Sequence, residues 1–456
     1  MDRRAHALAR PLRRIGMRRT AVIGAGWAGL SAAVTACLAG HRVHLFEMAP
    51  QAGGRARSHD LDAGRLDNGQ HILIGAYRDT LCLLRQVGVD VDTALHRSPL
   101  SLRYPDGTGL TLPGGPPTLA FVRGVLGVAH WSLGERLALL RAAVRWRLQG
   151  FRCTPALTVS ALCSSLPSAV IRDLVDPLCV AALNTPMSDA SAQTFLRVLQ
   201  DALFAGPGSA DLLLPKRPLS DLLAEPALRW LTAHGATLHQ GHRVMTLMPS
   251  ARLPSAEAGM SALEATRGTD SWQVDGAPFD GVVVAATARE ASRLVADIDP
   301  AWSQVAGALE YQPIVTVWVS GLSGGWPFPM VALRAGPDAP AQFAFDLGSL
   351  GGPPGVTAFV ISGAATWVAR GLQATASAVL TQAAEAFARA APAEPPTVVH
   401  VDAERRATFA CVPGLSRPAG TIAPGLVAAG DYIDGPYPAT LEGAVRSGRE
   451  AIDRLL

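Results

Sequence analysis

An α/β fold is predicted by three observations near the start of the chain. Residues 20–23 (TAVI) form a short β-branched run, and Gly24-Ala25-Gly26-Trp27-Ala28-Gly29 is a G-x-G-x-x-G turn. A small-residue stretch to about Ala39 then leads into a second apolar run ending at Glu47. Strand, glycine turn, helix and strand make a βαβ opening, which calls for a parallel sheet covered by helices. Gly24 permits the tight turn. Gly26 lets the backbone approach a pyrophosphate drawn to the helix N-terminus, which Trp27 and Ala28 open, and Gly29 lets helix and strand pack closely. Glu47 can accept hydrogen bonds from a ribose hydroxyl, and an acid there argues against a 2′-phosphate.

The rest of the composition narrows the class. The 456 residues leave room for two large domains or three smaller ones. With 49% hydrophobic and 17% charged residues, the chain is not disordered. A net charge of +3 gives no basis for nucleic-acid binding. There are 39 arginines against a single lysine, Lys216, a pattern that GC-rich coding explains, so arginine number alone carries no functional signal. The six cysteines form no CxxC pair and no zinc spacing with histidine, so no metal site is expected and a reducing cytoplasm suits them. The first nineteen residues carry seven arginines and no apolar segment, so they do not read as a secretory signal. Residues 1–16 are expected to be a disordered basic tail or a mis-called start ahead of Met17. Uncharged runs at 20–41 and 314–333 are too broken by small residues to read as membrane spans.

Residues 98–118 read as strands and turns, and from about 119 to 230 apolar helices take over. Ser132-Leu133-Gly134-Glu135 has the form of a capping box, opening a helix that ends at Gly150. Its apolar stripe is Leu133, Leu137, Leu140, Val144 and Leu148, with Arg136, Arg141, Arg145 and Arg147 on either side. Strand patterns return near 236–247, 270–286, 311–320, 356–362 and 425–429. This interleaving predicts two discontinuous domains. Residues 17–97, 231–300 and 401–456 would build the nucleotide domain. Residues 98–230 and 301–400 would build an α+β substrate domain with a helical lobe.

A second glycine turn, Gly53-Gly54-Arg55-Ala56-Arg57-Ser58, follows closely behind Glu47 and offers more amides and positive charge to a diphosphate than a plain NAD domain needs. Near the C-terminus, Gly430-Asp431 follows an apolar strand and ATLEGAVRSG (439–448) opens a helix, whose N-terminus suits negative charge on a reduced flavin. Together with Asp67-Asn68-Gly69-Gln70-His71, these stretches resemble the FAD-dependent amine oxidase and phytoene desaturase superfamily. DNGQHILIGAYRDTL (67–81), Asn184-Thr185-Pro186 and DLLLPKRPLSDLL (211–223) point to the squalene-associated branch that contains the hydroxysqualene dehydroxylases. The resemblance covers nearly the whole chain from Met17.

The resemblance implies a Rossmann-like FAD-binding domain and non-covalent FAD, no cysteine lying beside the C-terminal motif. Gly24, Gly26, Trp27, Ala28, Gly29, Glu47, Gly54 and Arg55 would bind the ADP half and diphosphate, with Val244, in the strand-like HRVMTL, touching adenine through its backbone. Gly430 and Asp431 would meet the diphosphate and ribityl chain, and Leu441 and Glu442 the pyrimidine edge of the ring. Gly69, Gln70 and His71 would line the ring face or its approach. The implied reaction replaces an allylic hydroxyl of hydroxysqualene with hydrogen in bacterial squalene and hopanoid biosynthesis, the reduced flavin supplying hydride to an allylic cation kept from water. His71 is the first candidate for the acid or for polar steering and Asp67 the second, with a structural role open for each. An oxidative polyisoprenoid desaturase, an amine oxidase and a non-catalytic FAD-binding isoprenoid carrier remain as alternatives. A hydrophobic isoprenoid substrate implies exchange with lipid. The helical insert around 119–150 is the expected place for peripheral contact with the inner face of the membrane, although the same stripe would equally suit packing on the protein's own core.

Overall fold

The structure is a computed structural model and describes residues 18–61, 64–250, 271–322, 328–388 and 395–456. The expected tail at 1–16 lies outside the described residues. The chain opens with strand β1 (Arg19–Ile23), helix α1 (Trp27–Leu38) and strand β2 (Arg42–Glu47). Helix α2 (Arg78–Gln86) follows, then a lobe that includes α3 (Pro117–Leu126), α4 (Leu133–Leu148) and α5 (Ala192–Phe204). Strands β3 (Thr237–Gln240) and β4 (Gly281–Val284) return to the first sheet. The chain then crosses into β5 (Tyr311–Ser320), β6 (Met330–Ala332), β7 (Phe343–Asp346), β8 (Val356–Ile361), α6 (Leu372–Ala386) and β9 (Thr397–Phe409). It closes with β10 (Thr421–Ala423), β11 (Leu426–Ala428) and α7 (Leu441–Leu455).

Three separated segments build a six-stranded sheet in the order β3-β2-β1-β4-β11-β10, parallel except where β10 meets β11. Parallel strands covered on both faces must be apolar throughout, and β4 (GVVV) is buried at every position. A second, antiparallel sheet runs β6-β7-β8-β5-β9. Its two faces separate cleanly along β5. Val315, Val317 and Val319 pack with Val379 and Ala383 of α6, whereas Trp318 belongs to the large core shared with the helical lobe. The expected boundary at residue 401 falls inside β9, which pairs with β5 without leaving the sheet as far as Phe409 opposite Tyr311. The second sheet therefore reaches beyond that boundary. The stretch 243–246, read as strand-like, is irregular, lying between β3 and a short strand at Leu247–Pro249.

The two helices that flank the nucleotide sheet, α1 and α7, touch backbone to backbone. Ser31 Oγ donates to the Val445 carbonyl at 2.7 Å. At Gly448 a Cβ would lie 2.2 Å from the Ala28 carbonyl oxygen and 2.9 Å from Ser31 Cβ. No side chain fits without forcing the helices apart. Gly448→Ala is therefore expected to lower stability by about 2 kcal/mol, read as a drop in the thermal midpoint. An unchanged midpoint would contradict the close contact.

Candidate active site

The two glycine turns form one backbone platform. Gly24 N donates to the Phe46 carbonyl (2.7 Å) and Gly53 N to the Ala25 carbonyl (2.9 Å), so the first turn is held to β2 and the second to the first. Gly24 (φ +108°) leaves no room for a side chain, because a Cβ would lie 2.5 Å from the Ala285 oxygen. At Gly29 a Cβ would lie 1.8 Å from the Gly24 oxygen. Gly54 (φ +63°) would place a Cβ 3.1 Å from Gly26 Cα. Gly26 differs from these. Within 4 Å its Cβ would meet only Gly54 Cα, at 3.8 Å, so the space beside it is open. Gly26 is the N-cap of α1 and offers no side chain, and the first turn of α1 holds no acid, which leaves the helix N-terminus to an external anion. The residues present thus fit a dinucleotide diphosphate.

Around this platform the predicted residues fall into two groups. Glu47 is buried, and its two carboxylate oxygens accept from Ala25 N and Ala49 N, both at 2.8 Å. Each oxygen keeps capacity for a ribose hydroxyl. Arg55 donates to the Ala407 carbonyl (2.6 Å) and forms an ion pair with the buried Asp431, joining the second turn to β9 and to the C-terminal motif. Gly430 N donates to Ser447 Oγ (2.8 Å). By contrast, some predicted side chains are spent on the scaffold. Trp27 Nε1 donates to the Ala56 carbonyl (3.2 Å), and Ala28 faces Gly448. Buried Glu442 turns toward α2, where its oxygens accept from Asp79 N (3.1 Å), Thr80 N (2.9 Å) and Thr80 Oγ (2.7 Å). A carboxylate at a helix N-terminus is well placed, though burial raises the Glu442 pKa. Leu441 is half-buried at the start of α7. Val244 is buried and its carbonyl accepts from Arg293 Nη2 at 2.8 Å.

Gly69, Gln70 and His71 sit together beside β5. A Cβ at Gly69 would meet Thr316 Oγ at 3.8 Å and His71 Cε1 at 3.9 Å. His71 and Tyr77 are both half-buried. The Gly69 carbonyl accepts from His71 Nδ1 (3.1 Å), so the neutral ring keeps Nε2 as an acceptor. Burial pushes the His71 pKa down, the Gly69 bond opposes this, and Arg55 adds to it. Tyr77 was not singled out from sequence, although it lies in the stretch 67–81. Burial and the nearby Glu442 push its phenol pKa up.

Asp67 is organised differently. Its Oδ1 accepts from Ser58 Oγ (2.6 Å) and Leu219 N (2.8 Å), and Ser58 N donates to Ser220 Oγ (2.9 Å). The stretch 211–223 thus backs the loop at 67–71. Asn184, in left-handed conformation (φ +47°), donates to the Gln312 carbonyl (3.2 Å) and Thr408 Oγ (3.0 Å) and accepts from Gly363 N (2.6 Å). The motif at 184–186 therefore ties the lobe to the second sheet.

Comparison with known proteins agrees with this geometry. The profile of the family described as flavin containing amine oxidoreductase matches residues 27–456. Hydroxysqualene dehydroxylase of Rhodopseudomonas palustris is 29% identical over 453 residues, covering 95% of this chain and 97% of that protein. The protein of the same name from Sinorhizobium fredii is 28% identical over 465 residues, covering 95% and 97%. A probable zeta-carotene desaturase of Synechococcus elongatus is 38% identical, but over only 71 residues, 15% of each chain. Among solved structures, an oxidoreductase from Methanosarcina mazei superposes with a TM-score of 0.70 at 17% identity, covering 95% of this chain and all of that one (100%).

The environment of Asp67 yields a pH test. Burial raises its pKa from 3.8 to about 6, against the bonds from Ser58 and Leu219. The folded state then holds the proton more tightly than the unfolded chain. This contribution is present below the ordinary value and fades as pH rises through about 6. Asp67→Asn keeps the accepting oxygen and never ionises. Relative to that variant, the wild type is expected to lose roughly 2 to 3 kcal/mol between about pH 4 and about pH 7 in denaturant unfolding. A difference independent of pH would contradict the assignment.

Proposed function

The chain belongs to the flavin-containing amine oxidoreductase family, and from that premise we propose that it reduces hydroxysqualene to squalene, using FAD held without a covalent bond. The observation that carries this reading is similarity to hydroxysqualene dehydroxylases along nearly the whole length of both chains. The desaturase likeness, by contrast, is confined to short stretches in most cases. An oxidative desaturation is the second reading, because one zeta-carotene desaturase, from Arabidopsis thaliana, matches 48% of the chain.

Reduced FAD supplies the hydride. Converting the allylic alcohol to the hydrocarbon would take one hydride at the allylic carbon and one proton on the departing oxygen, which leaves as water. The chain's own residues bind, exclude water and steer. Gly26 and the N-terminus of α1 hold the diphosphate, Glu47 the ribose, and Gly430 and Asp431 the ribityl side. Gly69, Gln70 and His71 line the approach to the ring. The low pKa of His71 keeps it neutral near pH 7, so its Nε2 accepts the substrate hydroxyl and orients it. The proton reaches the leaving oxygen from the small protonated fraction of the same ring. Asp67, with its oxygen committed to Ser58 and Leu219, sets the shape of the loop.

A hydrocarbon substrate resides in lipid. No helix among the described residues is long and apolar enough to cross a membrane. Peripheral contact with the inner face of the membrane is the mode of access that suits the chain.

The defining test is product analysis with hydroxysqualene and a flavin reductant, set beside phytoene and an oxidant. Squalene from the first alone is expected, and phytoene desaturation alone would replace the reading with its rival. With flavin bound, His71→Gln is expected to lose about 10² to 10⁴ in kcat/KM. It should also lose the rise in rate expected of the wild type as pH falls toward the lowered His71 pKa. Full turnover in that variant would remove His71 from the mechanism.

A further inference from the structure

The helix α4 carries an apolar stripe, but the stripe does not face the core. Its buried positions are Leu139, Ala142, Ala143 and Trp146. Leu133 is 64% exposed, Val144 57% and Leu148 84%. Eleven large hydrophobic side chains are exposed among the described residues, and six of them lie between 119 and 148, so this apolar surface is concentrated on one hairpin. A groove of about 470 Å³ runs along it, lined by Leu137, Leu140, Arg141, Val144, Arg145 and Leu148 among others. Concentrated exposed apolar surface of this kind marks an interaction site.

The hairpin is rigidly mounted. Ser132 and Glu135 complete the capping box. Arg136 donates to the carbonyls of Trp131 (3.0 Å), Leu126 (2.9 Å) and Ala129 (3.3 Å), which locks the turn between α3 and α4. Trp131 Nε1 and His130 Nε2 bond the buried Asp173 carboxylate at 3.3 and 3.2 Å. An exposed leucine face on so well fixed a helix is therefore a built surface.

We infer that the outer face of the α3–α4 hairpin docks on an anionic lipid bilayer, an inference that rests on the lipid-dissolved substrate of the preceding section. Charge identifies the partner. Residues 118–152 hold six arginines and one acid, Glu135, whose carboxylate is engaged by Ser132 N (2.7 Å). Arg141 and Arg145 form no ion pair among the described residues, and they flank the leucines. Such arginines snorkel to phosphate headgroups while the stripe enters the acyl boundary. A second copy of this face would bring arginine against arginine, because a two-fold interface pairs a patch with itself. The groove thus lies against the bilayer surface.

The test is flotation of the full-length, flavin-loaded protein without substrate, on phosphatidylcholine vesicles with or without about one third phosphatidylglycerol. The wild type is expected to float with the anionic vesicles and to come off as salt rises. Arg141→Gln with Arg145→Gln is expected to weaken partition about 30-fold. Leu137→Glu, Val144→Glu and Leu148→Glu together should abolish it, and both variants should keep the wild-type melting temperature and flavin spectrum. Three results would overturn the inference: wild type left at the bottom, the charge variant floating undiminished, or a vesicle-free dimer that the leucine substitutions dissolve. Turnover on detergent-dispersed hydroxysqualene, measured in parallel, tests the reaction separately. Its absence with flotation intact would count against the substrate and not against the docking face.

Discussion

The close approach of two glycine turns is the constraint on which the rest of the structure depends. A side chain at Gly54 would press on Gly26 Cα, whereas the space beside Gly26 itself is open. That geometry requires β1, α1 and β2 to stand in one register. It also brings Arg55 within reach of Asp431 and of the Ala407 carbonyl, 352 positions away. The nucleotide sheet, the second sheet and the C-terminal motif therefore converge at one guanidinium. The candidate nucleotide site is assembled from segments at both ends of the chain for this reason.

The second dependence is on buried polar groups that join the layers. Asn184 serves Gln312 and Thr408 on the second sheet and Gly363 just beyond it, and Asp67 fastens the loop at 67–71 to Leu219 directly and to Ser220 through Ser58. Asp173 holds the tip of the helical hairpin through Arg172, His130 and Trp131, and these bonds keep its carboxyl below the usual range although burial opposes them. Each of these groups is costly to bury unless every bond is made. Each therefore fixes one arrangement of the lobe, the second sheet and the loop at 67–71.

Much of this was legible in the sequence, because the signals were local. The first βαβ unit follows from β-branched runs and glycine spacing, and the capping box from four consecutive residues, Ser132 to Glu135. Periodicity also found the stripe on α4. It could not tell which way the stripe faced, since the opposite side is buried through two alanines, one leucine and a tryptophan that no apolar count weights strongly. Side chains with distant partners were also beyond reach. The capping of α2 by Glu442 spans 362 positions, and the bond of Leu219 to Asp67 spans 152. The resemblance places Glu442 at the flavin ring, and sequence alone does not show that its carboxylate also caps α2. The 243–246 stretch looked like a strand because its residues alternate, yet Asp275 Oδ1 accepts from both Met245 N (2.9 Å) and Thr246 N (2.8 Å) and bends it out of the sheet.

The central claim is that this chain spends the two electrons of a bound flavin on an allylic alcohol. An anaerobic single turnover tests it most directly. The FAD-loaded protein is reduced, freed of excess reductant and mixed with hydroxysqualene, and the flavin absorbance is followed while squalene is quantified. The account predicts that the flavin reoxidises and that one squalene appears for each flavin oxidised. A flavin that stays reduced in the presence of hydroxysqualene, with no squalene formed, would contradict it.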